Sequence, residues 1–137
     1  MASHNVELLL TMYDAFNRGD LDALMEHFSA DAEQVVQVTG ETNNGREAIR
    51  RSFEAYFEVV EEHRTDPLEF IETGEHVVIP VRLHGRLRHT GITDDMIPTE
   101  MAHAFAVRED QIVWNYIGAT KDDAIDAVKR RDAGPSL

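Results

Sequence analysis

Cysteine is absent from the 137 residues, which excludes disulfide staples, thiolate zinc sites, iron–sulfur ligation and a cysteine nucleophile. Lysine is nearly absent as well: Lys121 and Lys129 stand alone, and the remaining basic residues are arginines. Against 13 basic residues there are 26 acidic ones, a formal net charge of −13. A field of that sign repels phosphate backbones and anionic lipid, so neither nucleic acid nor membrane is an expected partner. The same self-repulsion predicts that salt stabilises the fold. The melting temperature should rise from low to molar salt, and a flat response would remove acidic repulsion from the account.

No apolar run approaches the roughly 20 residues that span a bilayer, and Met1-Ala2-Ser3-His4-Asn5 has neither the basic region nor the apolar stretch of a signal peptide. A soluble, cytoplasmic protein is expected. Dinucleotide, nucleotide, zinc-protease and serine-hydrolase signatures (GxGxxG, the Walker loop, HExxH, GxSxG) are all missing. Among the 7 histidines, His84 and His89 are five apart, so on a strand their rings point to opposite faces. No metal and no cofactor are expected.

What the chain does have is enough apolar content, 42% of residues, for one domain over 1–137 with a frayed tail from about 132. Val6, Leu9, Leu10, Tyr13 and Phe16 recur at helical spacing, with Leu8 and Met12 widening the stripe. Gly19 suits the left-handed stop, and Asp20 can cap a second helix running through Leu21, Leu24, Met25 and Phe28. Period-two alternation from Glu33 to Val38 predicts a first strand, followed by a loop over 40–45. Ile49, Phe53, Tyr56, Phe57 and Val60 predict a third helix from Arg46 to about Glu62. Beyond Pro67 the pattern is β-like: Leu68–Glu72, a turn at Thr73-Gly74-Glu75, Val77 to about Arg88, a Gly/Asp/Pro loop, Met101–Arg108, a turn at Glu109-Asp110 and Ile112–Ile117. Lys121–Arg131 predicts a short terminal helix. These elements compose an α+β domain in which three N-terminal helices pack on the concave face of a curved, mixed and mostly antiparallel sheet.

The run Tyr13-Asp14-Ala15-Phe16-Asn17-Arg18-Gly19-Asp20-Leu21-Asp22-Ala23-Leu24, then Phe28-Ser29-Ala30-Asp31-Ala32 and Gly45-Arg46-Glu47-Ala48-Ile49, resembles the opening of the nuclear transport factor 2-like superfamily, in its SnoaL-like branch. Phe105 to Val113 resembles the family's last hairpin, and Lys121-Asp122-Asp123-Ala124-Ile125 its acidic tail. The resemblance implies a cone-shaped α+β barrel whose mouth opens onto an apolar pocket, in a group that includes ketosteroid isomerases, polyketide cyclases, dehydratases, epoxide hydrolases and binding modules. It also implies departures. Met12, Val36 and His103 occupy the places of the isomerase's tyrosine, base and protonated acid. Arg82-Leu83-His84 and Asn115 stand where the epoxide hydrolase carries its Asp–Arg–Asp set.

His103 alternates with Met101, Phe105 and Val107, the side expected to face the cone. Two readings stand: a core histidine bonded to a tyrosine or a backbone carbonyl, or a ligand-contacting acid–base group of ordinary pKa about 6.5. Asn115 and Tyr13 are the expected hydrogen-bond donors, and Met12, Phe16, Phe28, Val36, Phe53, Phe57, Met101, Phe105 and Trp114 the expected lining. The face of Asn115 depends on register: a two-residue turn pairs Phe105 with Trp114, and a shift of one pairs it with Asn115. Arg82 and His84 are either a second polar group in the pocket or, with Arg86 and Arg88, an outer face that meets a second subunit, strengthened by Trp114 and Tyr116. The expected ligand is a small apolar molecule and the expected assembly a homodimer. The activity expected is binding, or cofactor-independent isomerisation, cyclisation or dehydration of an apolar carbonyl compound; the alternative is a non-catalytic dimeric module.

Overall fold

The computed structural model describes residues 3–87 and 100–133. The expected Gly/Asp/Pro loop and Arg88, and the tail beyond Ala133, lie outside the described residues.

Ser3 opens the first helix by accepting the Val6 amide on its hydroxyl, and α1 (His4–Arg18) ends where Gly19, at φ 69°, donates to the Ala15 and Phe16 carbonyls. Glycine meets no steric penalty in that left-handed conformation. Val6, Leu9, Met12, Tyr13, Ala15 and Phe16 are buried. Leu10, placed on the stripe from sequence, is 42% exposed, because it is rotated one residue off the Leu9 face. Asp20 caps α2 (Leu21–Met25) by accepting the Ala23 amide. Phe28 does not extend that helix; it opens β1 (Phe28–Val36), where the Ile112 amide donates to the His27 carbonyl at 2.7 Å and Phe28 registers with Ile112. Tertiary pairing overrides local helical spacing there.

The polar stretch expected as a loop contains β2 (Glu41–Asn44), antiparallel to β1. Its residues carry no apolar alternation, so only the presence of β1 as a partner makes them a strand. The third helix, α3 (Arg46–Val59), stops earlier than its spacing suggested, and β3 (Val60–Pro67) follows at once. Val59 and Val60 are β-branched, and the chain from Val60 on pairs with β5 (His76–Leu87), with a bulge between Glu61 and Arg64. Short β4 (Ile71–Thr73) also pairs with β5. Two further strands, β6 (Glu100–Arg108) and β7 (Gln111–Gly118), form a hairpin, and α4 (Lys121–Asp132) closes the described chain.

The sheet runs β2-β1-β7-β6-β5-β3, with β1 parallel to β7 and every other pair antiparallel. Its two faces carry separate cores. On the concave side α1, α2 and α3 pack with Met12, Phe16, Phe28, Ile49, Val81 and Phe105. On the convex side α4 lays Ala124, Ala127 and Val128 over Ala102, Ala104, Ala106, Trp114 and Tyr116. Three alanines in alternation on β6 leave room for that helix to approach the sheet.

The hairpin decides which residues face which core. Glu109 and Asp110 have φ values of 51° and 64°, the two positive angles of a type I′ turn, so Arg108 pairs with Gln111 and Val107 with Ile112. An irregularity then places Ala106 opposite Trp114 and Phe105 opposite Asn115. Val113 is the extra residue. The bulge turns Asn115 and Ile117 to the concave side and Trp114 and Tyr116 to the convex side.

This overturns two expectations about the aromatics. Trp114 does not line the pocket, and neither it nor Tyr116 is open to a second subunit, since each is 5% exposed beneath the chain's own α4. The Arg131 guanidinium lies 5.3 Å from the Trp114 ring centroid and reaches Glu75 at 3.3 Å and His76 Nε2 at 3.0 Å. Arginine only donates, so His76 accepts on Nε2 and carries its proton on Nδ1.

Candidate functional site

A cavity of about 430 Å³ lies between α1, α3 and the concave sheet face. That is the size range of small-molecule sites. Its walls are mostly apolar: Phe16 from α1; Phe53, Ala55 and Tyr56 from α3; Val36, Leu83, Met101 and Ile117 from the strands. Val38 and Val59, exposed at 56% and 53%, stand at the rim with Thr39 and Glu41. Deeper in, His103, Thr65, Phe16, Phe53 and Ile117 are shared with an annex of about 30 Å³, whose other walls are Met12, Tyr13, Phe105 and Asn115.

His103 sits at that junction. Its Nδ1 is 2.8 Å from the Tyr13 hydroxyl, and the two rings are nearly parallel with centroids 5.9 Å apart. Tyr13 is 4% exposed and its hydroxyl has no other partner among the described residues. If Nδ1–H donated to the phenol, the phenol's own proton would be buried without an acceptor, at a cost of about 1–3 kcal/mol. Donation from Tyr13 to Nδ1 avoids that cost and leaves the proton on Nε2, the ring nitrogen free to meet a ligand. Burial lowers the His103 pKa from 6.5 to about 4 and raises that of Tyr13 well above 10. His103 is therefore neutral at physiological pH: it has the tyrosine bond of the first of its two readings and departs from the ordinary pKa of the second. Its chemistry is that of a fixed hydrogen-bond donor.

Behind the cavity floor runs a chain of side-chain amides. Asn43 Nδ2 donates to Gln34 Oε1 at 2.9 Å, Gln34 Nε2 donates to Asn115 Oδ1 at 3.0 Å, and Asn115 Nδ2 donates to the Ala104 carbonyl at 3.3 Å. Gln34 and Asn115 are 0% and 2% exposed. Asn115 thus reaches the annex with its oxygen and one donor already engaged, and its first task is to tie β7 to β1 and β6. Asn17 performs a similar service at β3: its amide takes the Thr65 N–H at 2.8 Å and gives to the Thr65 carbonyl at 3.0 Å, substituting for a neighbouring strand.

Of the lining expected from sequence, Met12, Phe16, Val36, Phe53, Met101 and Phe105 border the cavity or its annex. Phe28 and Phe57 do not. Phe28 is fully buried behind Phe53, 5.8 Å between centroids, and Phe57 stacks on His63 at 4.5 Å, beside the α1 C-terminus where His63 Nε2 donates to the Phe16 carbonyl. Arg82 and His84 are not cavity groups either. On β5 they alternate with Val81 and Leu83, and the outer side holds them: Arg82 pairs with Glu100 at 2.6 Å and His84 with Asp66 at 3.0 Å. His84 borders an adjoining depression of about 140 Å³ that shares Tyr56 and Leu83 with the cavity. Gln34, Thr65, Tyr56, Leu83 and Ile117 were missed. For Gln34 a signal existed, since it shares the period-two face of Val36 in a strand otherwise facing the core. Thr65 offers none, because residues 60–67 carry no period-two apolar alternation to mark a strand.

Among the described residues no cluster of three or more His, Cys, Asp or Glu side chains could hold a metal ion, and no helix is long and apolar enough to cross a membrane.

A cone of helices and curved mixed sheet around a small-molecule cavity is the architecture of the nuclear transport factor 2-like proteins. Within that class the chain belongs to the SnoaL-like domain family, which matches residues 9–115. No curated protein matches it in sequence. Among solved structures, the chain is similar to an NTF2-like protein of unknown function from Burkholderia pseudomallei, at 20% identity and a TM-score of 0.74 over 91% of this chain and 97% of that one. It is also similar to a ketosteroid isomerase-like fold from Catenulispora acidiphila, in complex with trimethylamine, at 19% identity and 0.71 over 88% and 90%. A third similar structure is TerC co-crystallised with polyporic acid, at 22% identity and 0.72 over 93% and 99%.

Proposed function

We propose that this protein binds a small, largely apolar carbonyl compound in the concave cavity and polarises its oxygen through His103 Nε2–H. The observation that carries this reading is the pairing of an apolar 430 Å³ cavity with a neutral imidazole whose other nitrogen is occupied by Tyr13. A neutral histidine suits this task, since it donates to a developing negative oxygen without first surrendering a charge-stabilising proton. Tyr13 is a positioning residue. It selects the tautomer and never meets the ligand oxygen itself. Among the described residues no ionised carboxylate lies at the floor, which favours binding and polarisation over proton abstraction by the protein. We further propose a cytoplasmic location and a homodimer meeting through the part of the outer face that α4 leaves uncovered, around Arg64, Arg82 and Arg86. Sedimentation equilibrium finding a monomer would remove the dimer without touching the ligand reading.

The test is calorimetric titration with a rigid apolar ketone such as fluorenone. Wild-type protein should bind it, and His103→Phe, which keeps a ring in the wall but deletes the donor, should weaken binding by about tenfold or more, the value of a hydrogen bond of roughly 1.4 kcal/mol. Tyr13→Phe should weaken it less, by leaving the tautomer unselected. Equal affinity of wild type and His103→Phe would end the donor role.

A further inference from the structure

Few titratable groups on the described elements border the cavity or its annex. From α1 there is Tyr13, from α3 Tyr56, from β6 His103, and from β2 the exposed Glu41 at the rim. No lysine or arginine lines either compartment. Of the arginines on β5, Arg82 is held by Glu100, and Arg86, which borders the adjoining depression and not the cavity, is held by Glu62 at 3.3 Å. Gln34, Thr39, Ser52, Thr65 and Asn115, the remaining polar lining, carry no charge at any ordinary pH.

Building on the proposed ligand reading, we infer that the cavity accepts an acidic ligand only in its uncharged form: neutral ketones, lactones and protonated phenols enter, and carboxylates and phenolates are turned away. An anion entering this space gives up its hydration and finds no lysine or arginine among the described walls, and a single neutral donor at His103 does not replace a water shell. The net charge of −13 and the Glu41 carboxylate at the mouth oppose anions further. The site's own ionisable groups behave as this predicts. Burial drives a base, His103, and two acids, Tyr13 and Tyr56, each toward its neutral form. A ligand's phenol placed among them meets the same medium.

The experiment uses a nitrophenol whose phenol and phenolate absorb at separate wavelengths, titrated with the whole protein across its solution pKa, alongside fluorenone as a ligand without an ionisable group. The bound dye should show the phenol spectrum with its apparent pKa raised by about one unit or more, a tenfold preference for the neutral form. Met101→Lys, which places an ammonium in a partly exposed wall position, should reverse the preference. Dye bound as phenolate, dye refused in both forms while fluorenone binds, or a preference unmoved by Met101→Lys would each overturn the inference alone. Refusal of both probes by wild type would overturn the ligand reading itself, and this inference with it.

Discussion

Lowering the pH from 6.5 to 4 should cost the fold up to about 3 kcal/mol through His103 alone, before carboxylate titration contributes its main effect. Desolvation lowers the His103 pKa from 6.5 to about 4 in the native state, so between those values the unfolded chain binds the proton that the native chain refuses. The contribution is complete above pH 6.5 and is lost progressively as pH falls toward 4. The part-exposed edge of the ring toward the cavity makes the figure an upper one. His76 acts in the same direction, its pKa lowered by desolvation and by the Arg131 charge that it faces across 3.0 Å. Denaturant unfolding measured between pH 7 and 5 checks this. Wild type should lose stability over that range, and His103→Asn, which keeps an acceptor for Tyr13 but has no proton to gain, should lose distinctly less. Parallel curves for the two proteins would refute the burial of a neutral His103.

Trp114→Ala should destabilise the protein by about 3–5 kcal/mol, as large aromatic deletions in packed cores do, while leaving fluorenone affinity within about twofold of wild type. The side chain is 5% exposed, stacks on Tyr116 with centroids 6.0 Å apart, and carries the Arg131 guanidinium that anchors the end of α4. None of these contacts touches the cavity, which lies across the sheet. His103→Phe is the complementary substitution, expected to act on the ligand. A Trp114→Ala protein that folds with full stability would contradict the convex core. One that keeps its stability but loses the ketone would return Trp114 to the concave side, the face that the unbulged register gives it.

The face of Trp114 shows where sequence pattern stops being informative. Alternation correctly divided β6 into Met101, His103, Phe105 and Val107 on one face and Ala102, Ala104 and Ala106 on the other. The same alternation in β7 is broken by one bulged residue, Val113, whose extra step no local propensity announces. A side-chain period of two makes a single residue enough to exchange Asn115 for Trp114 at the cavity. Phe28 and Phe57 illustrate a related gap: helical spacing and apolarity mark a residue as buried, yet whether it borders a void or fills the space behind one is a property of the packed ensemble of neighbours. The polar β2 and the β3 strand were invisible for another reason. Each exists because a partner strand, β1 or β5, satisfies its backbone, and Asn17 completes Thr65 from 48 residues away.

Local chemistry determined a great deal by itself. Ser3, Gly19, Asp20 and Thr120 mark helix ends through side-chain acceptors or a left-handed backbone, and Glu109-Asp110 forms the tight turn. The absence of cysteine, the scarcity of lysine and the excess of acid set the available chemistry and the field around the protein. Those properties depend on residue type and near neighbours, and the sequence contains both. Only the tertiary structure decided that His103 meets Tyr13, 90 residues away, that burial strips the imidazole of its charge, and that Trp114 and Tyr116 lie under the chain's own last helix instead of a partner. Desolvation and hydrogen-bond partnership depend on what long-range folding brings close, and no spacing along the chain encodes those distances directly.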